Sequence, residues 1–382
     1  MKTADGAEVV TGSSTFLLNA FLLSALLIVW LRQVSVPLGL VDIPDFRKRH
    51  DGVVPLCGGI AIFGASAIVS LGLPSGFQVP NNLCVGLTLL LLIGIADDKW
   101  RLPPWPRLLG ETAAACILAG ATAIVPYNFN IGLPVPPETI SWAQPLIALA
   151  VIVFLVGAMN AVNMMDGIDG LAGAGTAAAL FWLALISSHE GRADLALHAV
   201  LLLSATLAFL VFNMRHRWRT RASVFMGEAG SITLGGAVAY FMVSLASGGN
   251  GVAFPVLLWV LVVPITDTLS LMVRRLRAHR NPLSPDRWHL HHLLLEMDFS
   301  PAAAAGMIAA ASALCGSIAY LALVFEVPSA VVTAGLALPV LAHTALVSHA
   351  TRRTRFSERA EPDPGRIPHV LTSTSGQTGG PA

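Results

Sequence analysis

Charged residues are scarce in this sequence. They make up 12% of the 382 residues, whereas soluble globular domains carry roughly 25%. Hydrophobic residues make up 55%, and the mean hydropathy is +0.71. One soluble core cannot bury so many long apolar runs, so the composition excludes an ordinary soluble protein and predicts an integral membrane protein. The net charge of +1 gives no indication of a nucleic-acid partner, and none is expected.

Cysteine is also scarce, and so are the features of a removable signal peptide. The four cysteines show no Cys-x-x-Cys spacing, which argues against a disulfide framework and a cysteine-based metal site. They are Cys57, Cys84, Cys116 and Cys315. At the N terminus only Lys2 precedes a long apolar run, and no small-residue cleavage site is evident. Residues 14–40 are therefore expected to form a first span that is retained.

Long apolar runs dominate what is present. They are continuous, as is typical of membrane-spanning helices. The strands of a membrane barrel would instead alternate apolar and polar residues. The sequence predicts an all-α polytopic membrane helix bundle with about ten or eleven spans of roughly 20 residues. One membrane domain over residues 1–350 is expected, followed by a disordered cytoplasmic tail at 351–382. The predicted spans are 14–40, 58–73, 82–96, 108–125, 144–158, 171–186, 197–213, 230–247, 255–273, 303–325 and 329–348.

Basic residues divide unequally between the two sides of this bundle. They follow spans one, three, seven, nine and eleven, whereas the other side carries only Lys2 and Arg192. The positive-inside rule then predicts an N terminus outside the cell and a C terminus in the cytoplasm. The carboxylate motifs fall on the same cytoplasmic face, where soluble nucleotides are found.

Two adjacent carboxylates, Asp97 and Asp98, close the third predicted span. Adjacent carboxylates repel each other, so the pKa of one rises unless a cation is shared. The pair suits a divalent cation or a general base. The structural alternative is a stop signal at the membrane interface with Lys99 as counter-ion.

The segment from Asn160 to Asp169 is more specific. It contains Asn163 and Asp166, with glycines after both aspartates. Asp166 and Asp169 are three residues apart, so a helical turn places both on one face. Such groups are costly near lipid unless they bind something, which indicates a ligand site. A calcium loop is excluded, because the twelve-residue spacing with its terminal Glu is absent.

Three further groups are candidates for phosphate or metal chemistry. Glu228 lies at a probable helix start, which can hold phosphate while Glu228 holds a metal, or Glu228 simply caps the helix. His289, His291 and His292 suit phosphate binding or proton transfer, with zinc least favoured and a solvated loop as the alternative. In the loop after span one, Lys48 can bind a lipid phosphate at the interface or set the topology.

These motifs, in this order, resemble the polyprenyl-phosphate N-acetylhexosamine-1-phosphate transferases, glycosyltransferase family 4. The resemblance spans roughly residues 40–300, and the His-Leu-His-His segment favours the branch that acts on undecaprenyl phosphate and UDP-N-acetylglucosamine. The peptidoglycan-precursor branch is less similar in the early loop and the histidine loop. The matching stretches are 41–50 with Gly58-Gly59, 97–100, 160–171, 225–231 and 284–292.

The resemblance implies a phosphoglycosyltransferase of the bacterial inner membrane. Such an enzyme transfers N-acetylglucosamine-1-phosphate to undecaprenyl phosphate and releases UMP, the first membrane step of O-antigen or other cell-surface polysaccharide synthesis. It implies Mg²⁺ as cofactor, with Mn²⁺ as a possible substitute. A homodimer is a further family-based expectation.

The resemblance also implies roles for single residues. Asp97 or Asp98 is expected to orient or deprotonate the lipid phosphate, and Asp98, Asp169 and Glu228 to hold the metal. The remaining catalytic candidates are Asp166, His289, His291 and His292. The expected substrate-binding residues are Lys48, His50, Asn160, Asn163, Arg107 and Arg287.

Two positions depart from the family pattern. Glu228 stands where the family usually has Asp, so its carboxylate reaches one methylene further. Trp105 stands where relatives commonly carry Lys, which leaves Arg107 as a replacement for that contact. Two other functions stay open: the same reaction with another UDP-N-acetylhexosamine, and a transporter with carboxylates on an ion path, whose binding groups would lie near mid-membrane.

Overall fold

The chain folds as an all-α helix bundle typical of a multi-pass membrane protein. The computed structural model describes residues 4–43, 52–120, 129–132, 137–248, 251–279 and 288–360. The helices are α1 (Ala4–Leu38), α2 (Gly58–Ser70), α3 (Asn81–Trp100), α4 (Pro104–Gly120), α5 (Pro137–Met165), α6 (Leu171–His189), α7 (Ala193–Asn213), α8 (Gly227–Ala246), α9 (Phe254–Arg277), α10 (Leu290–Glu296), α11 (Pro301–Val324), α12 (Ser329–Gly335) and α13 (Ala337–Ala360).

Every predicted span coincides with a helix, but fewer helices than predicted are long and apolar enough to cross a bilayer. Within the described ranges, eight helices meet that condition by length and composition. Helix α2 has 13 residues, about 20 Å at 1.5 Å per residue, against a hydrocarbon core of about 30 Å. Helix α4 is also short, and α3 carries polar residues at both ends. The last predicted span is divided into α12 and α13 at Leu336.

The C-terminal helix extends beyond the predicted tail boundary. Helix α13 ends at Ala360, whereas the disordered tail was expected from residue 351. The rest of that tail, 361–382, lies outside the described residues. The division into a membrane domain and a tail therefore stays a prediction.

Helix α8 is the centre of the bundle. Every residue from Ala229 to Ala246 is buried. A Cβ on Gly59 would overlap the backbone of Gly230, and a Cβ on Gly94 would overlap the backbone of Ala229. Helices α2 and α3 therefore approach the start of α8 at backbone distance, which only small residues permit.

Helix ends that carry the predicted motifs meet at one end of the bundle. The Gly170 N–H, at the start of α6, donates to the side-chain oxygen of Asn213 at the end of α7 (2.7 Å). At the opposite end, the Asn82 side chain on α3 donates to the Leu118 carbonyl on α4 (3.1 Å). Neighbouring helices are antiparallel, so the end of one helix lies beside the start of the next. The motifs at these ends therefore lie in one region.

A short hairpin joins α1 to α2 at the motif-bearing end. Strands β1 (Val41–Asp42) and β2 (Val54–Pro55) pair antiparallel. The Phe225 N–H donates to the Pro55 carbonyl (2.9 Å), three residues ahead of Glu228. The two strands are therefore held beside the start of α8, whereas Lys48 and His50 lie outside the described residues.

Candidate functional site

Asp98 caps the start of α8 from the end of α3. Its Oδ1 accepts the Glu228 N–H (2.8 Å) and its Oδ2 accepts the Ala229 N–H (3.1 Å). Gly227 has a positive φ of 73°, and a Cβ there would overlap the Asp98 carboxylate. The helix start predicted for phosphate binding is thus occupied by a carboxylate of the protein itself.

The surroundings of Asp98 favour its neutral form. Burial raises the pKa of the Asp98 carboxyl to about 8, and the neighbouring carboxylates of Glu228 and Asp97 add to the increase. The two backbone N–H donors oppose it but do not cancel it. A carboxylate in this position calls for a cation close by.

Arg107 is the cation at this cluster. Its NH1 lies 3.1 Å from both Asp97 Oδ2 and Glu228 Oε2, and its Nε lies 3.3 Å from Glu111 Oε1. Glu111 is fully buried and was not predicted as a site residue. The sequence did carry a signal for it, because an acid inside the apolar run 108–125 is costly without a function.

The two predicted amides connect this cluster to the end of α5. The side-chain amide of Asn160 donates to Glu111 Oε2. One turn later, the amide of Asn163 donates to Glu228 Oε2 and to the Ser231 hydroxyl. Both asparagines therefore orient carboxylates of the cluster.

The donor set suits a hard divalent cation. Three carboxylates, of Asp97, Glu111 and Glu228, contact one guanidinium, so negative charge is in excess, and the Asp98 carboxyl lies next to Glu228. The NH1 of Arg107 lies between two of them, where it takes the place of a cation. Carboxylate oxygens are the ligands that Mg²⁺ prefers. In the described part of the chain no three His, Cys, Asp or Glu side chains converge on one ligand position.

Asp169 takes part in a different interaction from Asp98 and Glu228. Its Oδ2 accepts from Arg215 Nε (2.7 Å) and from the Ala222 N–H (3.0 Å). These bonds tie the segment after α5 to the connection between α7 and α8. The structure thus brings two of the three predicted metal ligands, Asp98 and Glu228, together, whereas the third, Asp169, binds Arg215. Asp166 is exposed beside it.

The predicted histidines form a second cluster around a buried carboxylate that was not predicted. Asp267, on α9, accepts from His289 Nδ1 (2.9 Å) through Oδ2. Its Oδ1 accepts the Leu290 N–H (3.0 Å) and contacts Nε2 of His343 on α13 (3.2 Å). Asp267 and His343 were missed, although each is an ionisable residue inside a predicted span.

His291 connects this cluster to the segment after α5. It is buried, and its Nε2 has no hydrogen-bond partner in the described structure. A Cβ on Gly167 would overlap the imidazole. Burial and the neighbouring rings of His292 and His289 lower the pKa of His291 to about 3, so the ring is neutral at pH 7. Half-buried His292 lies beside it, with ring centroids 4.2 Å apart.

The remaining predicted residues do not join either cluster in the described structure. Lys48, His50 and Arg287 lie outside the described residues. Trp105 is 69% exposed, whereas Arg107, two residues on, is engaged by carboxylates.

Comparisons with known proteins agree on one family. Residues 82–246 match the family described as Glycosyl transferase family 4. The chain is 30% identical over 345 residues to an undecaprenyl-phosphate α-N-acetylglucosaminyl 1-phosphate transferase of Pasteurella multocida, covering 90% of this chain and 96% of the relative. It is 31% identical to the protein of that name from Escherichia coli O157:H7 (91% and 94% covered), and 30% identical to that of Haemophilus influenzae (89% and 95%).

Proposed function

The chain belongs to glycosyl transferase family 4, and we propose that it transfers N-acetylglucosamine-1-phosphate from UDP-N-acetylglucosamine to undecaprenyl phosphate. The products are undecaprenyl-pyrophosphoryl-N-acetylglucosamine and UMP. This would be the first membrane step of O-antigen or other cell-surface polysaccharide synthesis. Relatives that carry this activity in their names match about 90% of the chain, which supports the proposal.

The observation that carries the proposal is the carboxylate cluster around Arg107. In the reaction a phosphate oxygen of the lipid attacks the β-phosphorus of the nucleotide, and the bond from that phosphorus to the UMP oxygen breaks. Negative charge gathers on two phosphates, so catalysis depends on positive charge and fixed donors at one place. Asp98 and Glu228, with surplus negative charge around them, are the residues that would hold a divalent cation.

Mg²⁺, with Mn²⁺ as a substitute, would be held by Asp98 and Glu228 and would neutralise charge on the diphosphate. Asp97 and Asn163 orient the groups beside it, since Asp97 holds Arg107 and Asn163 holds Glu228. Because Arg215 holds Asp169, we assign Asp169 to positioning the loop after α5 instead of to the metal.

The substrate-binding residues follow from the same arrangement. Arg107 is the cationic side chain of this cluster and is proposed to bind the diphosphate. Asp166, exposed on the loop after α5, is proposed to contact the nucleotide-sugar. Lys48 and His50 are proposed for the lipid phosphate, because in the sequence they fall between β1 and β2, and β2 contacts Phe225. His289 and His292 are proposed for the diphosphate or the sugar.

Two alternatives differ in what they require. Another UDP-N-acetylhexosamine would use the same residues and differ only in the sugar pocket. A transporter is disfavoured, because the carboxylates gather at helix ends instead of near the middle of the bundle.

Release of UMP by the purified protein in detergent tests the function directly. UDP-N-acetylglucosamine, undecaprenyl phosphate and Mg²⁺ are supplied together and then omitted one at a time. Release that needs all three supports the proposal. Release only with a different UDP-N-acetylhexosamine would replace the substrate, and no release with any UDP-sugar would contradict the enzyme.

The location and assembly are part of the same proposal. We place the protein in the bacterial inner membrane with its N terminus outside and its C terminus and site in the cytoplasm, and we propose a homodimer. Protease protection of a C-terminal tag in inside-out vesicles would contradict this orientation. The mass of the detergent-solubilised protein tests the dimer.

A further inference from the structure

We propose that Asp267 is a positioning residue that orients His289 toward the substrate phosphate, and that His343 holds Asp267 from the opposite side. The inference rests on the proposed function, since it assigns a second support within the same site. It concerns two residues, Asp267 and His343, that no motif in the sequence indicated.

The geometry around Asp267 leaves its carboxylate little freedom. Both oxygens are engaged, Oδ2 by His289 and Oδ1 by the Leu290 N–H and by His343. With Asp267 on α9, these partners at the start of α10 and on α13 join three elements. A buried carboxylate is stable only when hydrogen bonds replace its hydration, so the three contacts hold one another in place.

This arrangement selects one form of His289. Because Nδ1 donates to Asp267, Nε2 is the nitrogen left for a ligand. The ring is also stacked against His291, with centroids 5.6 Å apart and planes 6° apart. Carboxylates that fix the tautomer and orientation of a histidine in this way typically change its activity by 10- to 100-fold when they are removed.

The other two histidines of the segment differ from His289. His291 is buried against Gly167, and its neutral ring serves to pack the two segments together. His292 is half-buried, and its ring packs against that of His291 at an interplanar angle of 49°. His289 is tied to the Asp267 carboxylate through Nδ1.

The first variant to test is Asp267→Asn, assayed for UMP release with the full-length protein. We expect kcat to fall about 10- to 100-fold with KM for UDP-N-acetylglucosamine nearly unchanged. The matched control is Asp298→Asn, the same change at an exposed carboxylate after α10, which should keep wild-type turnover.

Combination with His289→Ala separates positioning from general stability. If Asp267 acts through His289, Asp267→Asn should lower turnover by less than about threefold in the His289→Ala protein. Additive losses would overturn the proposal. So would an Asp267→Asn protein with a reduced unfolding temperature and unchanged kcat.

A second variant keeps the inference testable if Asp267→Asn does not fold. In His289→Asn the amide still donates to Asp267, as Nδ1 does, but no atom replaces Nε2. We expect this protein to fold and to lose turnover as Asp267→Asn does. Wild-type turnover in His289→Asn would show that the Asp267 contact serves structure alone.

His343 is tested by rescue. His343→Gln retains a side-chain donor for Asp267 and should keep most of the turnover that His343→Ala loses. Equal losses in the two variants would overturn the role of His343. Wild-type protein without UMP release would instead contradict the proposed function, so the two failures are distinguishable.

Discussion

The carboxylate cluster around Arg107 and the histidine cluster around Asp267 have opposite compositions. In the first, three carboxylates share one guanidinium. In the second, one carboxylate is satisfied by two imidazoles and a backbone N–H. The first is short of positive charge and therefore suited to binding a cation. The second is saturated and suited to holding side chains in place. The end of α5 contacts the first cluster through Asn163, and the segment after α5 contacts the second through Gly167.

Among the variants that test this difference between the clusters, Asp98→Asn is expected to have the largest effect on turnover. The substitution removes a carboxylate that caps α8 beside Glu228, so both the cap and the proposed cation ligand are weakened. We expect turnover to fall about 1,000-fold, the scale of losing one preorganised electrostatic group. UMP release over a Mg²⁺ titration measures it.

Glu326→Gln is the control for that variant, because Glu326 is exposed on the connection after α11. It should retain wild-type turnover and the same Mg²⁺ requirement. An Asp98→Asn protein with turnover within tenfold of wild type would contradict the cation-binding interpretation of the first cluster.

Gly167→Ala tests the contact between the segment after α5 and the histidine cluster. A Cβ at this position overlaps the His291 imidazole, so the loop or the ring must move. We expect about a 100-fold loss of turnover, as a displacement near 1 Å can produce. Gly157→Ala, with open space around its Cβ on α5, should be silent.

The double variant Gly167→Ala, His291→Ala tests the cause of that loss. Removing the imidazole removes the overlap, so we expect at least tenfold recovery relative to Gly167→Ala alone. No recovery would mean that His291 does more than fill space.

Glu111→Gln reduces the charge excess of the first cluster without removing its shape. The amide can still meet Arg107 and Asn160, but one negative charge is lost. We expect about a tenfold decrease in turnover, equivalent to ~1.4 kcal/mol, with a higher Mg²⁺ requirement. Turnover above wild type would show that the excess charge is inhibitory, contrary to our interpretation.

The smallest expected effect is on stability in mild acid. Since the pKa of His291 is lowered in the folded protein to about 3, the unfolded chain takes up a proton first as the pH falls. Stability from this group is present above about pH 6.5 and is lost progressively between that pH and about 3, by at most about 1.4 kcal/mol per pH unit. Unfolding temperatures from pH 7 to 4.5 should fall less steeply in His291→Gln.

The exposed His189 provides the control for this measurement. His189→Gln should reproduce the wild-type pH dependence. A His291→Gln protein with the same acid sensitivity as wild type would mean that His291 is hydrated or hydrogen-bonded in solution.

The sequence predicted the helices and most of the first cluster because both have local signals. Continuous apolar runs marked the spans, and Asp98, Asn163 and Glu228 lay in recognisable motifs at span edges. The set of metal ligands was harder to predict, since the contact of Asp169 with Arg215 joins residues 46 positions apart. Nothing in the local pattern reveals that pairing.

Glu111, Asp267 and His343 were missed for a related reason. Each is an ionisable residue within an apolar run, and at least one of its partners lies on another element. Their isolation was itself the signal, because an ionisable group inside a span is costly without a partner. Only the packing of α4 on α5, and of α9 on α10 and α13, identifies the partners.

The complete burial of α8 bears on how the protein enters the membrane. Of the eight helices long and apolar enough to cross a bilayer in the described ranges, α8 has the lowest mean hydropathy and the greatest burial. Its glycines, serine and threonine suit close contact with other helices and provide little attraction for lipid. Insertion of α8 should therefore depend on helices that precede it in synthesis. Glu228 would then reach its place in the site when the bundle assembles, and not when α8 partitions into lipid.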